Sequence, residues 1–71
     1  VTRDKFKNLI GQRIIELRTK KGWTQADLAR AAEKSPQAIE KIENGRVNPT
    51  AYTLFEISSA LEVQLSELVD F

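Results

Sequence analysis

Gln37 and Lys41 are the side chains whose types and spacing most directly suggest chemistry. Residues four apart on a helix are surface neighbours, so this pair would present an amide and an ammonium side by side. Such a pair can read base edges in a DNA major groove: the amide bonds adenine bidentately and the ammonium donates to guanine, each for about 1–3 kcal/mol of discrimination. Taken alone, two polar residues at this spacing more often form only a solvated helix face, so their surroundings must decide. Catalysis has little to work with, because the 71 residues include no histidine and no cysteine. The commonest zinc ligands, the usual general base at neutral pH and every Ser-His or Cys-His nucleophile are therefore missing. The carboxylates, lysines and hydroxyls that remain form no recognisable catalytic group, and we expect no enzyme, metal site, cofactor or small-molecule ligand.

A chain of 71 residues makes one domain with a single small core, too short for a core plus a buried catalytic chamber. Without cysteine that core stands on apolar packing alone, and a reducing cytoplasm is the expected setting. No apolar run approaches the roughly 18 residues that span a bilayer, and Val1-Thr2-Arg3-Asp4-Lys5 does not read as a signal peptide. A soluble chain without a membrane partner is expected, and a first residue other than methionine suggests trimming. The net charge of +1 hides an uneven layout. Val1 to Lys21 holds seven basic residues against two acidic ones, Gly22 to Arg46 balances four against four, and Val47 to Phe71 sets four acidic residues against none basic. The N-terminal part is a candidate polyanion surface, although a charge run by itself more often only solvates helix faces.

The elements that would position Gln37 and Lys41 are helical, since no stretch sustains the apolar/polar alternation of a half-buried strand. We read five helices in one all-α domain spanning residues 1–71. The first, about 3–20, carries Phe6, Ile10, Ile14 and Leu17 along one face and stops at Lys20-Lys21-Gly22, where glycine can turn left-handed. Thr24 caps the second, about 25–32, with Leu28, Ala29 and Ala32 facing inward. Ser35-Pro36 restarts the chain into a third, about 36–44, because serine caps and proline suits the first helical position. Asn48-Pro49 turns into a fourth, about 51–61, capped by Thr50, whose stripe is Leu54, Ile57, Ser58 and Leu61. A fifth, about 65–69, presents Leu65 and Leu68. On the third helix Ile39, Ile42 and Glu43 share one face, while Pro36, Gln37, Glu40, Lys41 and Asn44 share the other. The second and third helices, joined only by Glu33 to Ser35, have the layout in which one helix braces while the next enters a groove.

Three ordered segments sharpen this reading: Arg13-Ile14-Ile15-Glu16-Leu17-Arg18, then Trp23-Thr24-Gln25-Ala26-Asp27-Leu28-Ala29, then Ile39-Glu40-Lys41-Ile42-Glu43-Asn44-Gly45-Arg46. Asn48-Pro49-Thr50 with Thr53-Leu54, and Ala60-Leu61 through Leu65-Ser66-Glu67-Leu68, extend the set. In this order and spacing the chain resembles the bacterial and phage family of Cro and lambda-type repressors, the xenobiotic-response-element type of helix-turn-helix. The resemblance covers nearly the whole chain and implies a compact five-helix DNA-binding domain, bacterial or phage-encoded, in the cytoplasm on the nucleoid. Three positions depart from the family. Glu33 and Glu62 stand where glycine is frequent, and a non-glycine residue at positive φ costs roughly 1 kcal/mol, so the turn at Glu33 is either strained or rebuilt. Ile15 replaces a frequent surface arginine and is expected to be partly exposed.

The resemblance also implies roles. Gln37 and Lys41 become base readers, and Ser35 and Pro36 match positions that approach the groove, although capping explains those two as well. Glu40 has three readings: an acceptor for cytosine N4, a partner that orients Lys41, or a repulsive element against other sequences. Phosphate contacts fall to Gln25, Asn44 and Arg46, with Thr50, Tyr52 and Thr53 as further candidates that capping or plain exposure also accounts for. Arg18 and Glu43 match a partly buried ion pair that orients the reading helix, and Trp23 reads as a core plug. The implied activity is sequence-specific regulation of transcription, as a repressor on a double-stranded DNA operator. It would act as a homodimer on half-sites about 34 Å apart, joined through Leu65, Val69 and Phe71 unless these pack within the subunit. The alternative is a protein-interaction module on the same fold, an antitoxin-like or coactivator-like adaptor, which the near-neutral charge keeps open.

Overall fold

Four hydroxyl side chains start the four α-helices of this protein. The computed structural model describes residues 1–71 and contains helices α1 Arg3–Lys20, α2 Gln25–Ala31, α3 Pro36–Glu43 and α4 Ala51–Leu61, then a 3-10 helix, Leu65–Val69. Thr2, Thr24, Ser35 and Thr50 each accept the backbone N–H three residues on, all at 3.1 Å, which satisfies one of the amides a helix start leaves without a partner. At α2 the cap is reciprocal: Asp27 accepts the Thr24 amide at 2.9 Å. That bond holds the Asp27 carboxyl below the usual aspartate pKa.

The four helices also end alike. In each, a residue at positive φ folds the chain back, and the amide after it bonds a carbonyl five residues earlier: Trp23 to Arg18 at 2.9 Å, Lys34 to Ala29 at 2.8 Å, Arg46 to Lys41 and Val63 to Ser58 at 3.0 Å. Glycine supplies the turn at Gly22 and Gly45, whereas Glu33 (φ +58°) and Glu62 (φ +61°) supply it elsewhere. The turn at Glu33 is therefore not rebuilt; the glutamate adopts the glycine conformation.

The core draws on every element: Ile10, Ile14 and Leu17 of α1, Leu28 and Ala29 of α2 with Ala32, Ile39 and Ile42 of α3, Leu54, Ile57 and Leu61 of α4, and Leu68. Trp23, half-buried, packs on its edge as expected, and Ile15 is half-exposed. At Gly11 the packing dispenses with side chains. A Cβ there would lie 2.7 Å from the Glu43 carbonyl carbon and 2.8 Å from the Ile42 oxygen, so α1 meets the end of α3 main chain to main chain.

Several expectations need correction. The last element is a 3-10 helix and not a fifth α-helix, because five residues with one buried side chain, Leu68, offer too little to offset α-helix nucleation. It is strapped to α1 by Arg13, whose Nε donates to the Glu67 carbonyl at 2.6 Å. Leu65 is exposed even though residues three apart share a face in a 3-10 helix; Leu68 alone of the two reaches the core. Phe6, expected on the inward stripe, is 39% exposed; α1 begins beyond the edge of the core there, and Phe6 meets Phe71 edge-on with ring centroids 5.7 Å apart. Helices α2 and α3 each stop one residue earlier than expected, with Ala32 and Asn44 as their caps.

Candidate nucleic-acid interface

Helix α3 divides into two faces. Ile39, Ile42 and Glu43 are buried, while Pro36, Gln37, Lys41 and Asn44 are exposed. The inward anchor is polar: Glu43 is only 4% exposed, and each of its oxygens is bonded. Arg18 grips it bidentately, Nε to Oε2 at 2.6 Å and Nη2 to Oε1 at 3.0 Å, and also donates to the Trp23 carbonyl at 3.0 Å. The hydrogen bond to Glu43 raises the Arg18 pKa above its ordinary value, with burial acting in the opposite sense. Gln25 Nε2 donates to Glu43 Oε1 at 2.8 Å. One carboxylate thus ties the ends of α1, α2 and α3 together. Removing one partner of so buried a pair leaves a stranded charge at a cost of about 3–5 kcal/mol.

The outward face borders a groove of about 430 Å³ between α3 and the segment leading into α4, where Ser35, Gln37 and Lys41 face Asn48, Thr50 and Thr53. Five of the expected contact residues are thereby brought together. Lys41 takes part in no ion pair, so its ammonium is available. Thr50 and Thr53 also bond each other, at 3.1 Å between hydroxyls, and Thr50 serves as the α4 cap. Lys34, absent from the expected set, lines the same groove; its Nζ lies 2.6 Å from a buried oxygen of Glu56 on α4. No periodicity relates residues so far apart in the chain.

A second group forms at the end of α3. Glu40 Oε2 accepts Asn44 Nδ2 at 2.9 Å and lies 3.5 Å from Arg46 Nη1. Glu40 therefore does not orient Lys41, one of its three readings; it holds two expected phosphate ligands instead. The four-residue spacing of Glu40 and Asn44 could have disclosed half of this, but Arg46 lies past the helix end, where spacing carries no direction.

Other expected residues lie elsewhere. Tyr52 faces away from the groove, its ring 6.4 Å from that of Phe55, and borders a different cavity with Ala31 and Glu33. Gln25 sits in the buried clamp, where one amide N–H is committed to Glu43. Leu65, Val69 and Phe71 lie outside the core and stay about half-exposed, Phe71 resting against Phe6; together they leave an apolar margin. No helix is long and apolar enough to cross a membrane, and no carboxylate cluster is placed to hold a metal ion.

Comparison with known proteins gives this geometry its relatives. Residues 14–68 match the helix-turn-helix family. An uncharacterised transcriptional regulator of the helix-turn-helix type from Sinorhizobium fredii is 40% identical over 64 residues, covering 90% of this chain and 83% of the relative. The immunity repressor of Bacillus phage phi105 is 38% identical over 60 residues, 84% of this chain but 42% of the repressor. Among solved structures, the restriction-modification controller protein of Aeromonas hydrophila superposes with a TM-score of 0.85 at 31% identity, covering 87% of this chain and 94% of the controller.

Proposed function

We propose, because this chain belongs to the helix-turn-helix family of Cro and lambda-type repressors, that it is a DNA-binding transcriptional regulator that represses from a specific operator. The observation that carries the reading is the division of α3. Its inner face is fixed by Ile39, Ile42 and the Glu43 clamp, while its outer face offers Gln37 and the unpaired Lys41 beside an open groove. A helix held this way can enter the major groove and keep its readers in register.

In the bound state Gln37 bonds an adenine edge and Lys41 donates to guanine, with Ser35 and Pro36 close to the base edges at the start of the helix. Thr50 and Thr53 bond the phosphates on the opposite wall of the groove, and Asn44 and Arg46 bond those past the helix end. Gln25 uses its second amide N–H, aimed by the bond to Glu43. Tyr52, turned away with Phe55, is left out of this set. Two copies act together through Phe6, Leu65, Val69 and Phe71. A subunit measuring 30 × 23 × 21 Å suits half-sites one helical turn, about 34 Å, apart. The expected location is the cytoplasm.

Selection of sites from random duplexes supplies the operator, and Gln37→Ala tests its reading. The variant is expected to bind that operator about 5- to 150-fold more weakly and to lose discrimination at one base pair. Undiminished binding refutes direct readout by Gln37. Binding with no sequence preference and little salt dependence points instead to the protein-interaction adaptor.

A further inference from the structure

We propose that Glu40 is an internal stand-in for a DNA phosphate: it occupies Asn44 and Arg46 in the free protein, and surrenders them with least loss where a base offers its carboxylate a new donor. The inference rests on the DNA-binding reading above. Glu40 is the acidic side chain on the outward face of α3, where a charge of that sign opposes a polyanion. Its Oε2 accepts Asn44 Nδ2 at 2.9 Å and stands 3.5 Å from Arg46 Nη1. These are the donors assigned to phosphate past the end of α3. A carboxylate and a phosphodiester present oxygens of the same kind to an amide and a guanidinium, so one can replace the other without rearranging the donors.

The exchange has unequal consequences on different duplexes. When a phosphate takes Arg46 and Asn44, the Glu40 carboxylate is left facing base edges. Cytosine N4 and adenine N6 carry exocyclic amino groups in the major groove that can donate to it, whereas guanine O6 and thymine O4 would meet it as acceptor against acceptor. On a site with the amino group in place the carboxylate is satisfied again; on mixed sequence it is mostly left unpaired among phosphates. Glu40 thus weakens non-specific binding more than operator binding, and acts as a positioning and selectivity residue.

Glu40→Gln keeps the shape and an acceptor for Asn44 but removes the charge, and Glu40→Ala removes both. Glu40 is outside the core cluster, so both variants are expected to keep the parent melting temperature within a few degrees. Dissociation constants are measured for the selected operator and for a mixed-sequence duplex across a salt series. In Glu40→Gln, affinity for the mixed duplex is expected to rise about tenfold and its logarithmic salt slope to steepen by about one, as one more cation becomes free to neutralise a phosphate. Operator affinity should rise less, so that the specificity ratio falls. Adding Arg46→Ala should abolish the gain. Equal gains on both duplexes, no gain, or a gain that survives Arg46→Ala each overturn the proposal while leaving the DNA reading intact. Failure of the parent to bind any duplex at low salt overturns that reading and this proposal together.

Discussion

At the scale of single residues, Glu33 and Glu62 pose the same question with different answers. Both adopt the left-handed conformation that glycine takes at Gly22 and Gly45. Relief of that strain is worth about 1–2 kcal/mol, and the extra freedom glycine gives the unfolded chain returns about 0.4–1 kcal/mol. Glu33→Gly is therefore expected to stabilise the protein by about 0.5 kcal/mol and to raise the melting temperature by about 2–4 °C. Glu62→Gly should gain less, because Glu62 also bonds Lys21 at 3.0 Å, an exposed contact worth a few tenths of a kcal/mol. A thermal melt in which Glu33→Gly unfolds below the parent contradicts the strain. Both positions were legible in the sequence, since the glycine pattern of the family marks them. What the sequence left open was whether the backbone would yield or the residue would, and the two flanking hydrogen bonds at Glu33, from its own amide at 3.3 Å and from Lys34 at 2.8 Å, account for the outcome.

At the scale of elements, periodicity disclosed the two faces of α3, and the hydroxyl and proline signals disclosed where α2, α3 and α4 begin; the Thr2 cap of α1 was not read from the sequence. The Glu43 clamp followed from resemblance, although its third arm, Gln25, did not, because the same amide also suited a phosphate. The contact at Gly11 was not legible at all: a glycine inside a helix announces the absence of a side chain but not what approaches it. Its effect is measurable. In an open helix Gly→Ala stabilises by about 0.5–1 kcal/mol, but here the added Cβ runs into the main chain of Ile42 and Glu43, which cannot rotate aside. Gly11→Ala is expected to destabilise the fold by about 1–3 kcal/mol in urea titration and to weaken operator binding further by shifting α3 against α1. An unchanged or raised midpoint would show that the two helices separate freely.

Across the whole molecule, charge and exposed apolar surface are unevenly distributed. Basic residues crowd the first half of the chain, and the last 25 residues carry none. The acidic end also holds the exposed Leu65, Val69 and Phe71, which sequence alone left undecided between packing inside one subunit and joining two. Of the residues from Leu65 to Phe71, Leu68 alone belongs to the core of twelve buried residues, so its neighbours keep much of their apolar surface outside it. Val69→Glu should leave the melting temperature within a few degrees of the parent, because Val69 lies outside the core cluster. If the proposed dimer forms through this margin, the same change should leave the protein monomeric in analytical ultracentrifugation where the parent dimerises, and make operator occupancy non-cooperative. A variant that sediments as the parent does would place the dimer contact elsewhere.

The main-chain contact at Gly11 and the Glu43 clamp have a consequence for how this protein could acquire new targets. Because α3 is seated by atoms on its inner side, its outward residues carry no packing duty, and the lesson they spell can be rewritten without rebuilding the page. On the proposed reading, exchanging Gln37 and Lys41 for other polar residues would alter the address while the frame that delivers it, an 8.0 kDa chain, stays the same. Such a separation of vocabulary from grammar lets one scaffold diverge toward many operators by a few substitutions at a time.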